Sequence, residues 1–444
     1  MRSGRILVAL LILAGIFGAL ATGEEIYSRF LALGILMVLV SAVWTWLASR
    51  SLRVQRQTRS LRGNVGDILE EHFEVVNRGW LINLWIEVLN ESKLPNAAGS
   101  RLLTLVGSRQ KRSYTARSWL TRRGSFALGP TTLTVGDPFG LFRIHHSFPA
   151  TSTLVVMPMI FNLENFLSPP GLLPGGQVIR RKAVDVTPHA AGVREYMSGD
   201  PMKRIHWPTS IRRGQLMVKE FEQDPQAEIW IFMDAQEIVH AQKSHHDPQV
   251  DPLLFKVDTF LFGHRPEFHL PPSTLEYAVS ISASLAHYFL KQRRAVGLVT
   301  SGQSPTTIPA ERSERQEGKI LGTLAFVEAE SPLSLAALVA RQVQQLPQGS
   351  SAILVTPTIS PELLAAVDNL QRRGLRPVVV LIVAETFGGA PGSDRLIRSL
   401  TERGVPTCPI YCDADLGATL GSFASSSFPK DAQIWQRPLL SHLI

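Results

Sequence analysis

Two carboxylates and an imidazole, Glu195, Asp200 and His206, stand close together in the run REYMSGDPMKRIHWPTSIRRGQLMVKEFE, residues 194–222. Such groups can act as general acid and base when they lie within hydrogen-bond reach of a transferred proton. The same run carries Arg194, Arg204, Arg212 and Lys219, with Tyr196, Gly199 and Trp207 between them. It offers no Ser or Cys nucleophile motif and no H-E-x-x-H metal spacing. Guanidinium forks fit carboxylates bidentately. The residue types therefore suit a half-buried ion network, extended by Glu220, better than turnover. We expect a clamp or docking patch made by Arg194, Glu195, Tyr196, Gly199, Asp200, Arg204, Trp207, Arg212 and Lys219, with no catalytic residue. Trp207 and Glu195 should lie inside, with Arg204 and Arg212 reaching the surface. The alternative is a hydrolase using Glu195, Asp200 and His206.

Other reactive side chains are fewer. His240, His245, His246, Asp247, His264 and His269 fall between Asp234 and Ser273 and could hold zinc. Pro248, Pro252, Pro266, Pro271 and Pro272 favour an irregular exposed loop there instead. Cys408 and Cys412 are spaced C-P-I-Y-C, which is not the C-x-x-C of redox or zinc motifs. Two cysteines give no disulfide framework, which fits a reducing compartment, and both are expected in buried strand positions. Neither G-x-x-x-x-G-K-[ST] nor G-x-G-x-x-G marks a strand–helix junction, so no nucleotide and no cofactor is expected.

The clamp needs a scaffold. Residues 193–197 can extend, and Ser-Gly-Asp-Pro then forces a turn. Asp200 suits an N-cap and Pro201 a first helical position. The helix should pass Ile205, Trp207 and Ile211 and end at Gly214, with 216–221 extended. Beyond it, strands at 228–233, 295–300, 352–355, 377–383 and 405–410 alternate with helices from Ser273 and at 333–346, 361–373 and 395–403. Ser273 and Glu276 form a capping box, followed by Leu275, Ala278, Ser282, Leu285 and Phe289 on one face. This alternation implies a parallel sheet wrapped by helices.

Upstream, residues 64–148 read with period two. Ile82, Leu84, Ile86 and Val88 alternate with polar or aromatic neighbours, and further strands are expected at 102–106, 113–119, 125–128 and 131–135. Short strands with such turns suggest an antiparallel sandwich of immunoglobulin type. GDPFGLFR, residues 136–143, closes it, with Phe139 and Phe142 as plugs at the sandwich end. PGLLPGG at 170–176 reads as a linker.

Residues 6–21 and 30–48 are almost uninterrupted apolar runs; a span needs about 20 residues, with a lower limit near 17. A cleaved signal ending at Ala19-Leu-Ala21 is the rival for the first. Arg2 and Arg5 precede the first run, Glu24 and Glu25 sit between the two, and Arg50, Arg53, Arg56, Arg59 and Arg62 follow. Positive flanks stay cytoplasmic, so the expectation is a helical hairpin in the inner membrane with the remainder facing the cytoplasm. The 444-residue chain has 45% hydrophobic and 18% charged residues and a net charge of +8. That excess suits anionic lipid or nucleic acid, and the arginines after the second run favour lipid. Arg109, Lys111, Arg112, Arg117, Arg122 and Arg123 form a second basic region without any nucleic-acid-binding signature, so no nucleic acid is expected, a basic nucleic-acid-binding module through these residues being the third reading after the hydrolase.

The segment VREYMSGDPMKRIHWPTSIRRGQLMVKEFE resembles the signature of the bacterial domain-of-unknown-function family fifty-eight, and GDPFGLFR resembles that family's upstream motif. The layout is similar over nearly the whole chain. The resemblance implies an α+β multidomain protein: transmembrane helices at 1–50, a β-sandwich at 51–165, linker and signature at 166–225, and a von Willebrand factor A-like, Rossmann-like α/β domain at 226–444. It also implies a scaffold for protein–protein contacts, linked to a MoxR-type AAA+ ATPase in chaperone-like complex maturation, with other A-domain proteins as further partners. The A-domain metal site requires Asp-x-Ser-x-Ser. Asp234, Gln236 and Ile238 occupy those positions, and Ile238 offers Mg²⁺ no oxygen. Thr356 could supply one ligand and Pro357 none, so a working metal site is not expected.

Overall fold

The two apolar runs become α1 (Arg2–Thr22) and α2 (Glu25–Arg50), joined at Gly23 with φ +68°. Both are long and apolar enough to cross a membrane by length and composition. They pack closely: a Cβ at Gly34 would lie 2.6 Å from Ile12, the kind of approach small residues permit between helices. The computed structural model describes residues 2–149, 152–166, 190–197, 202, 205–221, 228–244 and 268–426. They form two compact units, Met1–Ile160 with Gln242–Ala283 and Lys319–Val327, and Phe161–Ala241 with Ser284–Gly318 and Glu328–Ile444.

In the first unit, β1 (Leu52–Thr58), β3 (Ile68–Asn77) and β6 (Lys111–Trp119) form one antiparallel sheet in the order β1-β3-β6. A second antiparallel sheet has the order β5 (Arg101–Val106), β4 (Asn83–Asn90), β8 (Thr131–Gly136), β9 (Arg143–Phe148). A third joins β2 (Arg62–Asn64), β10 (Ser152–Met157) and β7 (Gly124–Leu128). Leu52 and Val75 of the first sheet share a core with Ile86, Val88, Val106, Leu133 and Val135 of the second. Ala48, in the last turn of α2, is fully buried in the same cluster. The expected alternation along β4 holds at Ile86 and Val88, while Ile82 and Leu84 are exposed and Asn83 is buried.

The arginines after α2 were expected to face lipid together, and Arg56 does not. It turns inward on β1 against Glu71 of β3, which is completely buried. Arg56 Nε donates to Glu71 Oε1 at 2.7 Å, Nη2 makes an ion-pair contact with the same oxygen at 2.5 Å, and Nη1 donates to Asn90 Oδ1 at 3.2 Å. The guanidinium also lies over the Phe73 ring at 5.2 Å. Burial pushes the Glu71 carboxyl above the usual carboxylate range, and Arg56 opposes that shift. Three of the six residues of the second basic region are paired as well. Arg117 meets Glu70 directly across the β3–β6 ladder, Lys111 pairs with Glu74, and the buried Arg123 pairs with Glu276 and donates to Val327 O.

Phe139 and Phe142 do not plug the end of this unit. Leu141 takes the inward position, and both phenylalanines are exposed.

The second unit holds β11 (Ala190–Glu195), α3 (Trp207–Arg213) and β12 (Met217–Phe221), then a six-stranded sheet. That sheet comprises β13 (Ile229–Met233), β14 (Val296–Ser301), β15 (Pro305–Glu311), β16 (Ser351–Thr356), β17 (Arg376–Ile382) and β18 (Thr407–Ile410). Its order is β15-β14-β13-β16-β17-β18, all parallel apart from β15, which pairs antiparallel with β14 at the edge. The helices after β13 are α4 (Thr274–Lys291) and α5 (Glu314–Leu324), of which residues 274–283 and 319–324 belong to the first unit, then α6 (Leu335–Gln342), α7 (Glu362–Arg372), α8 (Ser393–Glu402) and α9 (Leu416–Ser426) of the second. The apolar face expected on α4 is buried throughout: Leu275, Ala278, Ser282, Leu285 and Phe289. Ser334 caps α6 by accepting from Ala337 N. Cys408 is buried in β18, and burial pushes its thiol up to about 12. Cys412 lies past the strand and is only half-buried, contrary to expectation. PGLLPGG lies outside the described residues.

Candidate functional site

Two places in the second unit concentrate the expected chemistry. The first is the signature segment. β11 and β12 form an antiparallel hairpin in which Glu195 opposes Met217. A helix starting at Asp200 was expected, but α3 starts at Trp207 with Pro208 in its first turn. The backbone before it is committed elsewhere: Ile205 bridges Val218, and His206 N donates to Met217 O at 2.8 Å. Two residues tied to a strand cannot also join a helix, and Pro208 then supplies the φ a first turn needs. Gly214 closes α3 in the left-handed conformation, as expected.

Ser210 turns inward and ties helix to strand, donating to His206 O at 3.0 Å and accepting from Met217 N at 2.8 Å. Ile205, Met217 and Val218 are buried beneath it. Trp207 and Ile211, four residues apart and so on one helical face, are instead 56% and 79% exposed. Met202 and Leu216 are exposed as well, and Arg212 and Arg213 flank them. Trp207 therefore lies outside, not inside.

Glu195 is also exposed, and its Oε1 accepts from Gln215 Nε2 at 2.8 Å. A buried clamp is thus not what Glu195 makes. Arg212 reaches the surface as expected. Tyr196 is half-buried. The backbones of Arg194 and Lys219 belong to β11 and β12, while Gly199, Asp200 and Arg204 lie outside the described residues. His206 Nδ1 is 2.7 Å from Thr209 Oγ1, a partner within its own turn. The described residues bring Trp207 and Ile211 onto one exposed apolar face of α3 beside arginine, and Leu216, also exposed, follows the helix. Sequence reading singled out only Trp207 of these; four-residue spacing of Trp207 and Ile211 was the available signal.

The second place is the carboxyl end of β13. Asp234 is completely buried; Oδ2 accepts from Thr356 Oγ1 at 2.6 Å and Oδ1 from Gln236 N at 3.1 Å. Thr356 Oγ1 in turn accepts from Thr358 N at 3.0 Å. His240 Nε2 lies 3.0 Å from the Asp234 carbonyl oxygen. β13 and β16 are the neighbours between which this sheet changes direction of travel, the crevice where such sheets bind ligands. Ile238 points into solvent, 87% exposed, and has no side-chain oxygen to offer a cation. Among the described residues no group of three or more His, Cys, Asp or Glu side chains could hold a metal ion. His245, His246, Asp247 and His264 lie outside the described residues, and His269 is exposed.

Burial raises the Asp234 carboxyl above its ordinary value, against the opposing hydrogen bonds from Thr356 and Gln236. The protonated form therefore suits the folded chain better than the unfolded one. Its contribution to stability is complete below the unfolded-state carboxylate range and is lost as pH rises through the raised value. Asp234→Asn is expected to flatten that fall in melting temperature with rising pH. Melting in EDTA and in millimolar Mg²⁺ should agree; a rise with Mg²⁺ at neutral pH would mean that other oxygens complete a cation site.

Residues 192–246 match the family described as protein of unknown function DUF58. A Bacillus subtilis (strain 168) relative, the uncharacterized protein YeaD, is 26% identical over 344 residues, covering 74% of this chain and 77% of its own. Likenesses to solved structures are poor. The CARDB domain of a Pyrococcus furiosus protein, solved with di-metal ions, is 17% identical and covers 24% of this chain and 91% of its own, with a TM-score of 0.19. A human seminal-plasma complex of zinc 2-glycoprotein and prolactin-inducible protein gives 10% identity over 23% of this chain and 92% of its own, with a TM-score of 0.18. Superpositions that weak carry no argument about fold. The chain is thus similar to DUF58 proteins in its signature segment, residues 192–246, and to the uncharacterized Bacillus protein over 74% of its length.

Proposed function

We propose that the protein is a membrane-anchored adaptor, with α1 and α2 as its hairpin anchor and the signature segment as its docking surface for another protein. The observation that carries this reading is the exposed Trp207–Ile211 face of α3, flanked by Arg212 and Arg213. Tryptophan and arginine are the side chains most enriched among residues that dominate binding energy, and an apolar centre with a charged rim is the usual anatomy of a docking patch. The partner implied by the family resemblance is a MoxR-type AAA+ ATPase, with other A-domain proteins as further candidates. The strand order 3-2-1-4-5-6 with an antiparallel third strand supports a von Willebrand factor A-like reading of the second unit. The shared core of the two sheets in the first unit supports an immunoglobulin-like sandwich. Gln236 and Ile238 at the metal-site positions favour contacts through protein surface over contacts through a bound cation.

The test is co-purification of the AAA+ partner with the full chain from detergent-solubilised membranes. Trp207→Ala and Ile211→Ser should remove the partner while leaving the chain folded. Undiminished recovery by both variants would contradict the reading.

The hairpin carries a topology of its own. Arg2, Arg5 and Arg50 flank the helices and Glu24 with Glu25 lies between them, so both ends belong on the cytoplasmic side. Protease added outside intact inner-membrane cells should leave everything after residue 50 uncut, and degradation from outside would reverse the assignment.

A further inference from the structure

We propose that the turn at 137–142 is a lipid-facing wedge: Phe139 and Phe142 enter the headgroup boundary beside the points where α1 and α2 meet the sheets of the first unit. This rests on the membrane-spanning reading of the two helices.

The turn is built to hold both rings outward. Asp137 is buried, and its carboxylate accepts from Phe139 N at 2.8 Å and from Phe142 N at 2.6 Å. Its carbonyl accepts from Gly140 N at 3.3 Å. Leu141 fills the inward position. On the other flank, a Cβ at Gly136 would fall 2.4 Å from the Trp85 ring and 2.8 Å from Phe142 O, so no larger residue fits there without moving the turn. With the backbone fixed this way, Phe139 is 48% and Phe142 36% exposed. Two aromatic side chains held rigidly into water lose free energy of burial unless something apolar meets them.

The helices say what meets them. Arg5, in the first turns of α1, donates Nε to Leu141 O at 2.8 Å, and a Cβ at Gly4 would come within 2.9 Å of Phe139 O. From the other helix, Ala48 packs with Leu133 and Val135 of β8, the strand that runs directly into this turn. The membrane-proximal ends of both helices therefore converge on the turn. Aromatic and cationic side chains cluster there in the way they do at a membrane interface: Arg50 lies over Trp46 at 4.1 Å and Arg143 over Trp85 at 5.1 Å. Rings at the tip would enter the acyl boundary while these guanidinium groups meet anionic headgroups. The wedge would fix the tilt of the soluble region against the bilayer, which two helices alone leave free to swing.

The experiment uses the full chain in phosphatidylcholine–phosphatidylglycerol vesicles, with lipids brominated either near the headgroup or deep in the acyl chains. In a Cys408→Ala, Cys412→Ser background, a fluorophore is placed at Phe139→Cys, at Phe142→Cys, or at Leu36→Cys, an exposed position midway along α2. The wedge predicts blue-shifted emission at 139 and 142, quenched most by shallow bromines, with the label at 36 quenched most by deep ones. A deep label at 36 with water-like, unquenched labels at 139 and 142 would overturn the wedge and leave the spanning reading intact. Water-like emission at 36 would overturn both. Because both phenylalanines are exposed, their replacement leaves the core unchanged, and agreement between the two sites guards against a local distortion at either.

Discussion

Replacing Glu71 with alanine is expected to cost the first unit about 3–5 kcal/mol, the penalty for stranding a buried cation whose partner has gone. Arg56 would be left with Asn90 and the face of Phe73 in place of a counter-charge. Arg56→Ala should cost a similar amount, because Glu71 is completely buried and would have to take up a proton to stay there. The pair itself is a different matter. Desolvation offsets much of the Coulomb gain of a buried ion pair, and apolar replacement of both partners is often neutral or stabilising by about 1–4 kcal/mol. Arg56→Met with Glu71→Met should therefore recover most of the loss of either single change. Since the chain forms two units that need not melt together, the readout should be amide exchange along β1 and β3. Unchanged protection there in the Glu71→Ala chain would show that the pair is not integral to the fold.

The second large effect lies on the signature. Trp207→Ala should weaken partner binding by about 2–4 kcal/mol, a loss of some tens to a thousand-fold in affinity, as for a central aromatic anchor. Stability should move little, within about 0.5 kcal/mol, because Trp207 is more than half exposed. Met217→Ala is the contrasting control. Met217 is buried and held by Ser210, so its truncation should cost about 2–5 kcal/mol and weaken binding only through unfolding. If Trp207→Ala destabilised as strongly as Met217→Ala, the indole would be a structural residue and the docking surface would lie elsewhere.

The difference between Trp207 and Met217 also shows where sequence reading reaches its limit. In the second unit, β13, β14, β16 and β17 are buried on both faces and stand out as apolar runs, and Gly374 and Gly404 mark helix ends by left-handed conformations. Those elements were legible. β15 was not, since Pro305 and Pro309 break its pattern; both are tolerated because the strand sits at the sheet edge. In the first unit, β1 and β3 were hidden by their charges. ILEEHFEVVN carries three glutamates, one of which faces the core only because an arginine fifteen positions away in sequence faces it too. No local pattern reveals that pairing. On the signature, the hairpin and its closing Gly214 were legible from turn chemistry, but the direction of Trp207 was not. An indole ordinarily reads as core, and here the inward place is taken by Ser210, which satisfies the backbone of Met217.

The most direct test of the adaptor reading is photocrosslinking from the surface itself. A photoreactive phenylalanine analogue at position 207, in the full chain within native membranes, should form a discrete adduct with the AAA+ ATPase, identified by mass spectrometry. The same analogue at Ile238, more exposed than Trp207 but at the carboxyl end of β13, should not. An adduct at 207 containing only lipid, or none while the position 238 probe captures the ATPase, would contradict the signature as the docking surface.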